Sequence, residues 1–160
     1  MPTSIIPNLW FPMNAEEAVD FYVSVFPNSS IGFVSHYGPD SPGPEGTVMT
    51  IDFTLDGNRF TAINGGDQFP FTEAVSFLVE CPTQDEVDRY WDALTADGGE
   101  EIQCGWLKDR FGLSWQIVPE GFEAMMTAPD PERVQRAMQA MFGMKKLVLA
   151  DLQAAADGTA

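Results

Sequence analysis

Two stretches of this chain, Asn14-Ala-Glu-Glu17 and Thr83-Gln-Asp-Glu86, share one helix-opening arrangement and stand 69 residues apart. In each, a short polar residue can accept from the free N–H groups of a helix start, and a glutamate occupies the third helical position. The same offset carries Phe21-Tyr22 onto Tyr90-Trp91. Ala15, Ala18, Val19, Tyr22, Val25 and Phe26 recur at helical spacing after the first cap, and Val87, Tyr90, Trp91 and Leu94 after the second. Pro27-Asn28 and Gly98-Gly99 end the two helices. A strand–helix–strands unit thus occurs twice. Neither copy can bury its apolar face alone, so the two are expected to pack together.

The strands follow from alternation. Ser4–Phe11, Ser30–Tyr37, Thr47–Leu55 and Arg59–Asn64 read as the strands of the first copy, with a tight Asp56-Gly57-Asn58 turn between the last two. Gly38–Gly46 is a loop, and Gly65-Gly66 opens a connector running to Pro70. The second copy has Ala74–Cys81, Glu101–Leu107 and Leu113–Val118. After Pro119 the pattern becomes helical. One helix begins at Asp130-Pro131 with the stripe Val134, Ala137, Met138, Met141 and Phe142, and Lys145–Ala156 forms a second. Their Met-rich face is expected to pack, either within the subunit or across a dimer.

The richest local stretch is Cys104-Gly-Trp-Leu-Lys-Asp-Arg-Phe-Gly-Leu-Ser-Trp-Gln-Ile-Val-Pro119. It reads as a β-hairpin whose two tryptophans, thiol and amide suit the wall of a cavity, where apolar groups give area and a few polar ones give direction. Alternation puts Trp115 and Gln116 on opposite faces. Asp109 and Arg110 are expected to build the turn or to bridge to a partner subunit.

Charge and composition exclude several classes. Against 24 acidic residues stand 8 basic ones, a net of −16, which opposes nucleic acid or an anionic membrane as partner. No apolar run approaches the ~20 residues of a membrane span. The N-terminus lacks a basic region followed by an apolar stretch, so a cytoplasmic protein is expected. Two cysteines, Cys81 and Cys104, make no disulfide framework and are read as reduced thiols. The single histidine, His36, would have to serve any Ser-His-acid or Cys-His arrangement, and it is read as a surface or packing residue in preference to a lone metal ligand.

The chain resembles the PhnB-like branch of the vicinal oxygen chelate (glyoxalase/bleomycin-resistance) superfamily, a branch labelled 3-demethylubiquinone-9 3-methyltransferase. The residues that carry this are Ile6-Pro-Asn-Leu-Trp-Phe11, Ala15-Glu-Glu-Ala-Val-Asp-Phe-Tyr22, Leu55-Asp-Gly57, Asn64-Gly-Gly66 and Cys104 to Gln116. It spans Ile5 to about Pro119. The resemblance implies an α+β fold in which two βαβββ modules, residues 1–68 and 69–122, form a curved mixed sheet, with a C-terminal helical appendage over 123–160.

Metal-using members of that superfamily hold a divalent ion with His and Glu side chains from four strands. By motif register those positions fall here on Pro7, Ala74, Gln116 and a fourth near Asn64. Pro and Ala cannot coordinate, and neutral amides are poor ligands beside imidazole and carboxylate. No metal and no other cofactor is therefore expected. The methyltransferase label also lacks its usual Gly-rich strand-to-helix turn, since Asn64-Gly-Gly66 leads into a connector. The resemblance implies a homodimer that binds a small, partly apolar molecule, with Trp10, Asn64, Cys104, Trp106 and Gln116 lining the cavity. Asn64 and Gln116 would bond either the ligand or neighbouring backbone. The alternative is a glyoxalase- or dioxygenase-like enzyme using a cryptic divalent metal or Cys104, whose thiol is either reactive or inert. A third role would lie on the dimer surface.

Overall fold

The computed structural model describes residues 4–159. The chain divides between Phe71 and Thr72 into two compact units. The first contains β1 (Asn8–Phe11), α1 (Ala15–Val25), β2 (Ser30–His36), β3 (Val48–Leu55) and β4 (Asn58–Asn64). Its sheet has the order β1-β4-β3-β2, with β1 parallel to β4 and the other pairs antiparallel. The period-2 pattern decides which face goes inward. Leu9, Phe11, Ile51, Phe53, Leu55, Phe60 and Ala62 are buried together with Ala15, Ala18, Val19 and Tyr22 of α1. Trp10, Thr50, Asp52, Thr61 and Ile63 alternate onto the opposite, half-exposed face. Asp56 and Gly57, with φ of 44° and 74°, supply the left-handed pair that a two-residue hairpin between β3 and β4 requires.

The second unit contains β5 (Ser76–Cys81), α2 (Gln84–Thr95), β6 (Glu100–Glu101), β7 (Trp106–Lys108) and β8 (Ser114–Pro119). Its order, β5-β8-β7-β6 with β5 parallel to β8, reproduces that of the first sheet strand for strand. Two four-stranded mixed sheets with helices, the α+β architecture that the resemblance implies, are therefore present. Leu107, Trp115 and Ile117 are buried on the side of Val87, Tyr90, Trp91 and Leu94 of α2. Trp106, Lys108 and Gln116 face the other way and are half-buried.

Several expectations change in detail, among them that β5 begins at Ser76 and not Ala74, and the last helix at Leu149 and not Lys145. Ser4–Pro7 is not strand, and β1 begins at Asn8. The single strand expected over Glu101–Leu107 is two, because Cys104 and Gly105 are both left-handed (φ 61° and 82°) and interrupt the ladder. The capping box at Asn14 does not form: Asn14 makes no side-chain capping bond, and the Ala15 N–H is taken by Asn64 Oδ1 at 2.9 Å. At the second helix Thr83 Oγ1 does accept from the Glu86 N–H.

The tail forms α3 (Phe122–Met126), α4 (Pro131–Phe142) and α5 (Leu149–Asp157), the first of them not anticipated from the sequence. Asp130 caps α4 by accepting from the N–H groups of Glu132 and Arg133. Met125, Ala137, Leu147, Leu152 and Ala156 form a small buried core, with Met126, Met141 and Met144 packed on it. Part of the Met-rich face thus packs within the chain, while Met138 and Phe142 stay exposed. Gln84 of α2 fastens the tail, donating to Leu147 O and accepting from Leu149 N, both at 3.0 Å. No described helix is long and apolar enough to cross a membrane.

Candidate functional site

The hairpin of β7 and β8 and its parallel neighbour β5 present two rows of side chains on the face turned away from α2. Pairing register sets Trp106 opposite Gln116 and Gln116 opposite Leu78, which makes the first row. Lys108 stands opposite Ser114, and Ser114 opposite Ser76, which makes the second. Cross-strand partners have Cβ atoms about 5 Å apart, so each row is a set of touching neighbours. Gln116 Nε2 donates to Ser76 Oγ at 2.9 Å, tying the rows together. Lys108 Nζ lies 2.6 Å from Glu73 Oε1 and 3.9 Å from Glu100 Oε2. The hydrogen bond to Glu73 pushes the Lys108 ammonium pKa up and holds the Glu73 carboxyl below its ordinary value. Ser114 is fully buried, and its hydroxyl has no hydrogen-bond partner among the described residues.

The opposite face of the hairpin is structural. Trp115 is buried and donates its indole N–H to Asp109 Oδ2 at 2.9 Å. Asp109 Oδ1 accepts from the N–H groups of Phe111 (2.9 Å) and Leu113 (3.1 Å). Asp109 therefore builds the turn, one of the two roles the sequence left open. Arg110 pairs with Asp97 at 3.3 Å.

In the first unit Trp10 and Asn64 lie near each other in the chain trace but on opposite faces of the sheet. Asn64 faces α1 and is 1 % exposed. Its Oδ1 caps the Ala15 N–H, while its Nδ2 donates to Glu16 Oε2 (2.6 Å) and Val48 O (3.0 Å). Of its two expected roles, the structure occupies its amide with neighbouring groups. Trp10, on the open face, donates its indole N–H to Gly66 O at 2.8 Å and meets Phe69 edge-to-face. A Cβ at Gly65 would fall 2.1–2.4 Å from three carbons of the Trp10 ring. The Asn64-Gly65-Gly66 motif is thus a fastening of α1 and of the Trp10 indole. Gly65→Ala should cost about 2 kcal/mol through overpacking. Thermal melting would read the loss, and Trp10→Leu in the same chain should return part of it.

Cys104 is drawn into the tail rather than onto the face of Gln116. Its N–H donates to Met144 O at 2.8 Å, and its thiol lies 3.7 Å from Met141 O. His36 is exposed on β2. The positions to which the resemblance assigns metal ligands, Pro7, Ala74, Gln116 and one near Asn64, offer only neutral amides and side chains that cannot coordinate. That set does not fit a divalent ion. Among the described residues no three His, Cys, Asp or Glu side chains come together in a metal-holding group. Sequence reasoning passed over Ser76, Lys108 and Ser114. Hairpin alternation alone put Lys108 on the face of Trp106 and Ser114 on that of Gln116; Ser76 needed the parallel pairing of β5.

Residues 3–118 match the family described as 3-demethylubiquinone-9 3-methyltransferase. A comparison with curated proteins gives no match. Among solved structures, a putative 3-demethylubiquinone-9 3-methyltransferase, PhnB protein, from Bacillus cereus is 37% identical, with a TM-score of 0.67 over 73% of this chain and 99% of that one. Protein PA1353 from Pseudomonas aeruginosa is 22% identical, with a TM-score of 0.61 over 74% and 98%. The fosfomycin resistance protein FosX from Listeria monocytogenes, complexed with Mn(II) and sulfate ion, is 14% identical, with a TM-score of 0.51 over 74% and 90%. The last two share the fold. With that match and that identity, the chain belongs to the PhnB-like, 3-demethylubiquinone-9 3-methyltransferase family.

Proposed function

We propose that this protein is a metal-free binder of a small molecule, and that the open face of the β5-β8-β7 sheet, with Trp106 and Gln116 at its centre, contacts that molecule. The observation that carries the reading is Gln116. By the motif register of the resemblance it falls where metal-using members keep a glutamate, and its amide is engaged by Ser76 in a neutral hydrogen bond. An amide there can orient a ligand but is a poor donor to a divalent ion beside a carboxylate. Trp106, directly opposite, supplies flat apolar area. Trp10 plays the matching part on the first sheet. Asn64 and Cys104, engaged elsewhere, are not assigned to the ligand. The same reading takes the protein as a homodimer, supported by the exposed Ile31 and Phe33 on the edge strand β2.

Metal analysis of the purified chain tests the proposal. The expected result is a divalent-metal content well below one ion per chain, and no rise in melting temperature when Mn(II) is added. One tightly held ion per chain, or a clear stabilisation by Mn(II), would sink the metal-free reading and leave the metalloenzyme alternative.

A further inference from the structure

The two rows on the second sheet differ in chemistry, and the difference selects a ligand. One row is apolar at both ends, with Trp106 and the 54 % exposed Leu78 flanking the Gln116 amide. The other carries an ammonium and two hydroxyls, Lys108, Ser114 and Ser76. Residues two apart on a strand are about 6.7 Å apart, so a ligand spanning both rows needs its charged end roughly that far from the centre of its apolar body. Lys108 on β7, opposite Ser114, reaches Glu73, three residues ahead of Ser76 on β5, so the ion pair joins the two sides of β8 near the row that holds Ser114. Ser114 is fully buried with an unused hydroxyl, a state that costs about 1–3 kcal/mol unless something comes to use it.

We propose that this face binds a small carboxylate with an apolar or aromatic body, and that Glu73 is the resident carboxylate holding the ligand's place on Lys108. The proposal rests on the binding role assigned above and names the ligand class for it. On binding, the ligand's carboxylate replaces that of Glu73 on Lys108 and accepts from the Ser114 hydroxyl, while its body lies along Trp106, Gln116 and Leu78. Lys108 keeps a carboxylate partner throughout. The chain's net charge of −16 opposes the approach of any anion, so recognition has to come from this local exchange. Glu73, whose side chain is 58% exposed against 29% for Lys108, is the partner freer to leave.

Calorimetric titration of the full chain with 3-phenylpropanoate and with its neutral amide, 3-phenylpropanamide, tests this. The acid should bind at least about tenfold more tightly than the amide, since a charge-assisted bond replaces a neutral one. Lys108→Met should weaken the acid by about tenfold or more, and Ser114→Ala by several-fold. Glu73→Gln is the decisive variant: with the competing carboxylate gone, the acid should bind several-fold more tightly. Circular dichroism confirms folding of each variant, and Glu73→Gln alters a group open enough to keep the fold. Equal binding of acid and amide, with all three variants indifferent, would overturn the carboxylate inference and leave the small-molecule role standing. Absence of acid binding to both the parent and Glu73→Gln, or a weakening in Glu73→Gln, would overturn it as well. A bound metal ion would remove the metal-free reading while leaving the effect of Glu73→Gln to be read on its own.

Discussion

Asp109→Ala is expected to lower the stability of this protein by about 4 kcal/mol, because it removes the acceptor for several buried donors at once. The Phe111 and Leu113 N–H groups share Asp109 Oδ1, and the Trp115 indole N–H is held by Oδ2. Asp109 is 3 % exposed and Trp115 equally so, which keeps water from taking over these bonds. A loss of that size should lower the melting temperature by roughly 10 °C in a chain of this length. Asp109→Asn separates the causes. Its amide oxygen can still accept from Phe111 and Leu113, but its NH2 would face the Trp115 N–H, donor against donor. The cost should therefore fall to about 1–2 kcal/mol. In a Trp115→Phe background, where that donor is gone, Asp109→Asn should cost less again, a coupling that a double-mutant cycle measures directly. Urea midpoints followed by circular dichroism give all of these values. An Asp109→Ala loss below about 1 kcal/mol would mean that the carboxylate does not hold the hairpin.

How much of this was legible in the sequence depends on how far apart the cooperating residues lie. The repeat was readable because helical stripes and strand alternation are local, and both sheets have the same strand order, β1-β4-β3-β2 and β5-β8-β7-β6. The Asp109 turn was readable for the same reason, since its partners lie two to six residues away. The cap of α1 was not. Asn14 has the right residue type and spacing, yet Asn64, 49 residues beyond Ala15, takes the Ala15 N–H. Nor does a sequence show that Cys104 takes φ 61°, because cysteine, unlike glycine or asparagine, carries no bias toward the left-handed region. The two rows of the proposed site stand between these cases. Trp106, Lys108, Ser114 and Gln116 follow from one hairpin, whereas Ser76, Leu78 and Glu73 enter only when β5 pairs in parallel with β8.

Asn64→Asp should be the most damaging single-atom exchange in the first unit, and its cost should depend on pH. The introduced carboxyl keeps an acceptor for the Ala15 N–H. It loses the donor that reaches Glu16 Oε2 at 2.6 Å and Val48 O at 3.0 Å. At neutral pH two carboxylates would then sit against each other at a position that is 1 % exposed, with a carbonyl oxygen facing the same charge. A cost of about 4 kcal/mol is expected, above the roughly 3 kcal/mol for Asn64→Ala, which only leaves groups unpaired. Burial and the neighbouring Glu16 both raise the pKa of the introduced carboxyl in the folded state above its unfolded value. Its proton is therefore bound more tightly in the folded chain. The penalty is smallest below the unfolded pKa and grows as pH rises through the raised folded one. When protonated, the new O–H can donate to Glu16 or Val48 much as the amide did. Melting temperatures of the parent, Asn64→Ala and Asn64→Asp between pH 4 and 8 should thus cross, with the aspartate variant the less stable of the two near pH 8 and the more stable near pH 4. A pH-independent gap between the two variants would mean that the Asn64 donor does not hold α1 to the sheet, and that the cap from Oδ1 alone carries the motif.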